Sequence, residues 1–228
     1  MQVRASAAEL ACYTQLREAI VSGAFMPNER LVETDLASSL KTGRAAVRAA
    51  LARLEHEGLV ERTPNRGARV RRISESEAVE ILEVRAALEA LAARKAAQNA
   101  TPSDIAELQT IFDELRRHSS ANDLLLYSDT NGRLHRKIIS IARHQTIDRL
   151  IATLNAQNVR FQYRTILAPG RPVDSLKEHE AIVRTITSGD ADAAETAMRV
   201  HLSHVAETLR NLASQKSNHL SAERITYD

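Results

Sequence analysis

The most constraining feature of the sequence is a short alternating segment in a chain whose spacing is otherwise helical. Residues 68–72 alternate apolar with charged side chains up to residue 71, residues 59–62 carry two apolar and then two charged side chains, and residues 64–67 between them read Pro-Asn-Arg-Gly. Alternation with a period of two predicts β-strands, and a connection that contains both proline and glycine predicts a turn. The segment therefore predicts one β-hairpin.

Three helical patterns precede this hairpin. Apolar residues at helical spacing stop before Gly23, resume over residues 31–40 and occur again over residues 44–57. Gly58 then ends the third pattern. Three helices followed by a hairpin predict a winged helix-turn-helix over residues 1–73.

Beyond residue 73 the spacing is purely helical. Ser74 and Glu77 form the signature of a capping box before a long helix that reaches about residue 100. Capping residues and Gly–Pro breaks predict five further helices, at residues 102–118, 122–142, 145–166, 173–188 and 190–215. The expected fold is mostly α, with a bundle of about six helices over residues 74–217. The polar residues 218–228 are expected to form a flexible tail.

The positive charge of the chain is concentrated at its front. Residues 1–72 carry 12 Lys and Arg against 8 Asp and Glu, whereas residues 73–228 carry 19 against 21. This excess suits a polyanionic partner, although a basic run also occurs on solvated faces that bind nothing. No stretch approaches the roughly 20 apolar residues of a membrane span, and the N-terminus lacks the pattern of a secretory signal. We therefore expect a cytoplasmic protein with no membrane contact.

The third helix carries two arginines opposite its apolar stripe. Val47, Leu51 and Leu54 fall on one face, and Arg44 and Arg48, four residues apart, stack together on the other. A guanidinium can pair with guanine in a major groove or clamp phosphates, so these arginines are candidate DNA contacts. A soluble basic helix would have the same spacing, and the residues alone leave both interpretations open.

Three blocks of the front region, GAFMPNERLVETDLA, RAAVRAALARLEHEGLV and RTPNRGARV, occur in this order. Their residues and separations resemble the winged helix of the GntR superfamily of transcription regulators. The resemblance implies that Arg44 and Arg48 contact the groove and the phosphates. It also implies that Asn65, Arg66 and Gly67 form a wing tip that reaches the minor groove.

Three positions depart from the family pattern. Lys41 stands where relatives usually place the glycine of the turn, and Gly43 stands where they usually place a capping Ser or Thr. A left-handed lysine or a lost cap each costs on the order of 1 kcal/mol, so we expect a remodelled turn. Thr34 stands where some relatives carry a DNA-contacting arginine, so a weaker phosphate contact is expected there.

Three of the eight histidines are related by their positions along the predicted helices. Asn131 and His135 are four residues apart, so they lie about 40° apart around one helix and can point to one spot. His179 and His201 flank Gly189 by 10 and 12 residues, which places them at nearly equal height in an antiparallel helix pair. Neutral imidazoles in such a set suit zinc, nickel or a similar divalent ion, whereas an isolated histidine is more often a surface or core residue.

Three segments of the helical region, EVRAALEALAAR, NGRLHRKII and EHEAIVRTITSGDADAAETAMRVHL, resemble the FCD sensor domain of the FadR branch of GntR regulators. In that family an aspartate, a histidine four residues later and two further histidines bind a metal. The implied ligands here are Asn131, His135, His179 and His201. Asn131 replaces the usual aspartate, so we expect weaker metal binding and a metal charge that is less neutralised.

The resemblance also implies a pocket for a small carboxylate effector. Arg85 matches an arginine that commonly points into this pocket, where a guanidinium can hold a carboxylate through two hydrogen bonds. Arg136, Asn155 and Arg160 are further candidates of the same kind. The predicted six helices resemble the shorter, VanR-like group more than the seven-helix group.

These observations predict a dimeric, metabolite-responsive repressor. Helices of the sensor domain would pair two chains, and the two recognition helices would enter successive major grooves of a palindromic operator. The alternative is a metal-dependent hydrolase, with an ion that activates water and with Glu178 or Glu180 as the base. The alternative lacks a separate nucleophile and leaves the basic front half unexplained, so we expect no enzymatic activity and assign no catalytic residue.

Overall fold

The computed structural model describes residues 6–63 and 67–225, apart from the side chains of residues 63, 159, 160, 162, 163 and 216–225. The chain divides into two compact units, Met1–Ile73 and Ser74–Asp228. This division falls where the sequence changes from mixed to purely helical spacing. Each unit is described by itself.

The first unit combines a three-helix core with a small antiparallel sheet. Its elements are α1 (Ala7–Val21), β1 (Arg30–Leu31), α2 (Glu33–Ser39), α3 (Arg44–His56), β2 (Val60–Thr63) and β3 (Gly67–Val70). The strands follow the spatial order β1-β3-β2, and in the hairpin Val60 lies opposite Val70 while Thr63 lies opposite Gly67. The expected winged helix-turn-helix is confirmed.

The core of this unit lies between α1 and α3. Leu16, Val47, Leu51 and Leu54 are at most 1% exposed. Full burial of one such side chain stabilises a fold by about 1.5–3 kcal/mol. Since the apolar stripe of α3 faces inward, the opposite side of this helix remains available to solvent.

The turn between α2 and α3 is remodelled in the expected way. Lys41 adopts a left-handed backbone conformation with φ of 49°. Gly43 is the N-cap of α3, and its position supplies no side-chain hydrogen bond to the helix. The first N–H groups of an uncapped α-helix need an acceptor from outside the helix.

The second unit consists, over the part of the chain that the structure describes, of the six expected helices. They are α4 (Glu75–Asn99), α5 (Pro102–Ser120), α6 (Leu124–Ala142), α7 (Gln145–Ile166), α8 (Arg171–Thr187) and α9 (Ala191–Ile225). Side chains cap several of these helices at the N-terminus: Ser74 accepts a hydrogen bond from Glu77 N, and Thr101 and Asp104 form a capping box. None of the described helices combines the length and apolarity that a bilayer crossing requires.

Helix α4 occupies the centre of this bundle. It packs against α9 over most of its length and also contacts α6, α7 and α8. Its buried face is rich in alanine, and Ala90, Ala92, Ala93 and Ala96 are all fully buried. Because interaxial distance depends on the side chains at a helix contact, this alanine face lets the surrounding helices approach α4 closely.

Helix α9 is longer than its sequence pattern predicted. It extends to Ile225, so it covers most of the segment that was expected to be a flexible tail. Residues 213–225 contain neither glycine nor proline, and several of them are good helix formers. Polar composition alone therefore does not end a helix when no breaker is present.

Candidate functional site

Three histidines from three different helices meet inside the second unit. His135 on α6, His179 on α8 and His201 on α9 are 6%, 0% and 2% exposed. One ring nitrogen from each lies within 4.8 Å of the others, and Nε2 of His135 is 3.2 Å from Nε2 of His179. The structure thus brings together the three histidines whose spacing predicted convergence.

The local folding of α8 and α9 explains two of these positions. The two helices pack against each other across a short turn in which Gly189 has φ of 74°. Such a positive φ favours glycine, because it has no Cβ. His179 and His201 therefore face each other, with ring centroids 4.3 Å apart.

Hydrogen bonds at Nδ1 orient the imidazoles, two of them to carboxylates on neighbouring helices and one to a hydroxyl on the same helix. Nδ1 of His135 lies 2.6 Å from a carboxylate oxygen of Glu89 on α4, and Nδ1 of His201 lies 2.7 Å from Glu178 on α8. Nδ1 of His179 lies 3.4 Å from the Ser175 hydroxyl. A partner at Nδ1 fixes the tautomer and leaves Nε2 as the lone-pair donor, which is the usual arrangement around metal-binding histidines.

Each of the two carboxylates is also paired with an arginine. Glu89 accepts from Arg85 at 2.7 Å, and Glu178 accepts two hydrogen bonds from Arg171, at 3.0 and 2.7 Å. Burial alone would raise the pKa of the Glu89 carboxyl, but the charge of Arg85 and the hydrogen bonds from His135 and Arg85 outweigh burial and lower this pKa to about 2. Burial likewise opposes ionisation of Glu178, while hydrogen bonds from His201 and Arg171 lower its pKa to about 2. Both carboxylates are therefore charged at neutral pH.

Two of the three imidazoles, those of His179 and His201, are in the opposite situation. Burial lowers the pKa of His179 well below its ordinary value, and the neighbouring His201, His135 and Arg171 add to the effect. Burial also lowers the pKa of His201 to about 4, in spite of the hydrogen bond to Glu178. Neutral imidazole is the form that binds a divalent ion.

Asn131 adds a fourth group of suitable chemistry. It lies one helical turn before His135 on the same face of α6, and its Oδ1 is buried without a hydrogen-bond partner among the described residues. Buried acceptors without a partner are rare in proteins. Three imidazoles and one unpartnered carbonyl oxygen form a donor set that fits a divalent metal ion.

The four expected effector-binding residues differ in their surroundings. Arg85 reaches the interior, where it holds Glu89, and only 11% of its side chain is exposed. Asn155 is half-buried on α7, whereas the side chain of Arg160 lies outside the described residues. Arg136 does not join the buried cluster: it is exposed and lies over Gly132, because one residue beyond His135 the helix has turned by about 100°.

Several residues of the site were not predicted from the sequence. Glu89 and Arg171 were not expected there, and Glu178 was considered only as the base of a hydrolase, not as a partner of the histidines. Nδ1 of His204 lies 2.7 Å from the second oxygen of Glu178. Nε of Arg171 is buried and has no hydrogen-bond partner within the described chain. One signal was present: Glu89 is the only charged residue in the apolar stretch 86–93, and Arg85 precedes it by four residues.

The two arginines predicted to contact DNA are exposed on α3, but they border its buried face and do not lie opposite it. Arg44 precedes the buried Leu51 by seven residues, which places the two about 20° apart around the helix, and Arg48 lies further toward the solvent side. Two nitrogens of the Arg48 guanidinium, Nε and Nη2, donate to Glu33 at the start of α2, at 3.3 and 3.1 Å. Thr34 is exposed and donates to Asp35 at 3.1 Å.

The expected wing tip is only partly described. Asn65 and Arg66 lie outside the described residues. Gly67 has φ of 81°, and a Cβ at this position would lie 3.1 Å from the carbonyl oxygen of Leu31. Gly67 is thus required by the close approach of β1 to the hairpin.

Known protein families match both units of the chain. A family model described as FCD domain matches residues 80–204, and one described as Bacterial regulatory proteins, gntR family, matches residues 9–70. The chain belongs to the GntR family. This GntR-family chain therefore joins a winged helix-turn-helix to an FCD domain, as its sequence blocks implied.

Relatives of this GntR-family chain are named as transcriptional regulators. The HTH-type transcriptional repressor RspR of Escherichia coli K12 is 28% identical over 211 residues, 92% of each chain. The "Probable D-xylose utilization operon transcriptional repressor" of Paenarthrobacter nicotinovorans is 30% identical over 174 residues, 75% of this chain and 74% of that protein.

Solved structures share the fold. E. coli McbR/YncC matches with a TM-score of 0.70 at 21% identity, over 94% of this chain and 100% of that chain. A GntR regulator from Rhodococcus sp. RHA1 matches with a TM-score of 0.69 at 20% identity, over 90% and 99%.

The family is regulatory and not enzymatic, and its helix-turn-helix members bind DNA operators and typically dimerise. The GntR-family chain is accordingly a transcriptional regulator, and the hydrolase alternative is not retained.

Proposed function

We propose that the protein is a homodimeric repressor whose sensor domain binds a divalent metal and a small carboxylate effector, and whose two recognition helices read a palindromic operator. The observation that carries the sensor part is the convergence of three buried imidazoles whose outer nitrogens already have partners. A polar cluster of this kind is costly to bury unless a ligand completes it.

The operator contact is supported by the start of α3. Arg44 and Arg48 are exposed there, the first turn contains no acidic residue, and no side chain caps the helix. Free N–H groups and the positive end of the helix dipole suit a phosphate, while the two guanidiniums suit a guanine edge or a second phosphate. Thr34, Asn65, Arg66 and Gly67 complete the proposed DNA-contacting set.

The proposed metal ligands are His135, His179, His201 and Asn131. Three imidazoles favour zinc, with nickel as the next candidate. When bound, the ion supplies a positive charge that can hold a carboxylate oxygen of the effector. The protein side chains orient the ligands: Glu89, Ser175 and Glu178 hold the outer nitrogens in place.

The effector is proposed to be an acid because of the charge balance around the histidines. Arg85 is neutralised by Glu89, and Arg171 by Glu178. The charge of a divalent ion would therefore remain uncompensated, since Asn131 replaces an acidic ligand. A buried net charge is unfavourable, and a carboxylate would offset it. Arg85 and the free Nε of Arg171 are candidate contacts for that carboxylate.

Dimerisation through the sensor domain is supported by exposed apolar side chains on two adjacent helices. Val84 and Leu91 lie on one face of α4, and Leu150 lies on α7. Apolar side chains grouped on a surface commonly mark a protein interface.

The test of the DNA-binding part is a gel shift on the promoter region of the protein's own gene. The wild-type chain should retard this DNA, and Arg48→Ala should weaken binding by at least about 30-fold, because a dimer loses two base or phosphate contacts. Arg199→Ala removes the same charge from an exposed position on α9 and should leave binding unchanged. Equal retardation by wild type and Arg48→Ala would remove α3 as the reading helix.

The test of the metal part is elemental analysis of the zinc-loaded protein. Wild type and His118→Ala, a histidine outside the cluster, should hold one zinc ion per chain, and His179→Ala should hold none. Zinc should raise the melting temperature of wild type and not of His179→Ala. The same zinc stoichiometry in His179→Ala and wild type would contradict the proposed site.

A further inference from the structure

Asn158 on α7 is a buried polar residue that neither the metal ligands nor the charge network explains. It is 3% exposed, and its Oδ1 has no hydrogen-bond partner among the described residues. Leaving a buried acceptor without a donor is more costly than replacing the side chain by an apolar one of similar shape. The position therefore points to a donor that arrives with a ligand.

The packing of α7 on α4 locates Asn158 near the site. The start of α7 shares a hydrophobic cluster with α4, through Ile147 and Ile151 against Leu88 and Ala92. The end of α7 reaches the first turn of α4, where Arg164 donates to Glu75 at 2.7 Å. The two helices are thus antiparallel.

This register places Asn158 at the level of Ile81, about one turn from Arg85. Asn158 also lies on the same stripe of α7 as Ile147 and Ile151, the stripe that faces α4 and α6. Side chains in a helix lean toward its N-terminus, which for Asn158 is the direction of the Arg85 level. The register thus brings the amide oxygen to within about one helical turn of the Arg85 level, on the side of α7 that packs against α4 and α6.

Because Oδ1 of Asn158 is a hydrogen-bond acceptor, it can bind only a ligand group that donates a hydrogen bond. A carboxylate has only acceptors at neutral pH, so it cannot satisfy Oδ1. A hydroxyl group can donate to Oδ1 and still accept from another group. Arg85 and Arg171 already donate to carboxylates, although Nε of Arg171 has no acceptor among the described residues.

We propose that Asn158 is a specificity-determining residue that accepts a hydrogen bond from a hydroxyl group of the effector, so that the acid sensed by this protein is a hydroxy acid. The inference rests on the proposed function, because it assumes that an acid binds at the histidine site. Beyond the carboxylate, the inference names a hydroxyl as the second functional group of that acid, and Asn158 as the residue that selects it.

Matched pairs of acids test the inference on the full-length, zinc-loaded protein. The pairs are propanoate and lactate, succinate and malate, and hexanoate and gluconate, with binding measured by calorimetry and thermal shift. The hydroxylated member of at least one pair should bind about tenfold more tightly or better, because its partner leaves Oδ1 unsatisfied. In Asn158→Leu this preference should fall to about twofold or less, and Asn211→Leu, at an exposed position of α9, should keep it.

Further readouts separate a ligand-binding role from a structural one. Asn158→Leu should retain wild-type zinc content and operator binding, and the melting temperature of its effector-free form should equal or exceed that of wild type. Asn158→Ala removes the same acceptor without adding bulk and should lose the same preference. A lowered melting temperature in both variants, with the hydroxyl preference intact, would show a structural amide and overturn the inference.

The outcomes also distinguish this inference from the proposed function. If acids bind the wild type without any preference for the hydroxylated member, the role of Asn158 is refuted and the acid sensor stands. If none of the six acids binds the zinc-loaded wild type, the acid sensor is refuted together with the inference.

Discussion

At the scale of single residues, Glu89 shows that a carboxylate inside a helical bundle is tolerated only when neighbouring groups compensate its negative charge. It is 1% exposed, yet it accepts from both Arg85 and His135. Removing one partner of a buried pair leaves the other as an uncompensated charge, which is more destabilising than the pair itself is stabilising.

Glu89→Gln should therefore lower the free energy of unfolding of the metal-free protein by about 3 kcal/mol, because Arg85 loses its counter-charge in the interior. Urea denaturation in the presence of EDTA measures the change. Glu83→Gln is the matched control on the same helix: Glu83 pairs with Arg210 at the surface, and its loss should cost at most about 1 kcal/mol. Equal losses for the two variants would contradict the assignment.

Residue spacing predicted the histidines but not the carboxylates that hold them. His179 and His201 are related by one helix–turn–helix, and the relation follows from helix geometry alone. The contact of Glu89 with His135 instead joins α4 to α6 across 46 residues of chain. Such a contact depends on how the helices pack, which periodicity does not encode.

At the scale of elements, the N-terminus of α5 is fixed by one carboxylate with several donors. Asp104 accepts hydrogen bonds from Thr101, which closes the capping box, and from Lys137 on α6 at 2.9 Å. Hydrogen bonds from Thr101 and Lys137 lower the pKa of Asp104 below its ordinary value. The carboxylate thus links the start of one helix to the middle of the next.

A depressed pKa in the folded state determines the sign of the pH dependence. The contribution of Asp104 to stability is complete above the ordinary pKa of an aspartate, near 4, and is lost as the pH falls below that value. Asp104→Asn should lower the urea midpoint at pH 7, and its difference from wild type should shrink steadily as the pH falls below about 4. Asp113→Asn, on the exposed side of α5, should show a smaller difference at pH 7. A difference for Asp104→Asn that is constant with pH would contradict this role.

Element boundaries were predictable where a residue imposes them chemically. Gly58 and the Thr101–Pro102 pair mark helix ends because of their backbone preferences, and the structure places ends there. Helix α9 had no such signal, and polar residues alone suggested an end that the chain does not have. The start of α8 at Arg171 was also missed, since the break at residues 168–172 suggested a loop.

At the scale of the whole molecule, charge is divided between the two units. The first 72 residues have an excess of four positive charges, and the rest has an excess of two negative charges. Basic side chains that neutralise phosphates release counterions, so DNA affinity falls with rising salt concentration. The number of phosphate contacts determines the slope of log affinity against log salt concentration.

Arg44→Ala should reduce the steepness of the plot of log affinity against log salt concentration by about 2, because each protomer of a dimer loses about one phosphate contact. Fluorescence anisotropy with an operator fragment at several salt concentrations measures the slope. Arg199→Ala, with the same change in net charge, should leave the slope unaltered. An unaltered slope in Arg44→Ala would mean that this guanidinium does not contact a phosphate.

The alanine face of α4 has a final consequence for evolution and for engineering. Ala93 and its neighbours are fully buried in a helix that contacts α6, α8 and α9, the three helices that carry the imidazoles. A single larger side chain there, such as valine, would widen the gap between the helices by a fraction of an ångström. Metal coordination tolerates only small errors in distance, so we expect that the ion selectivity of the proposed metal site can be altered from a helix that contributes no ligand to it.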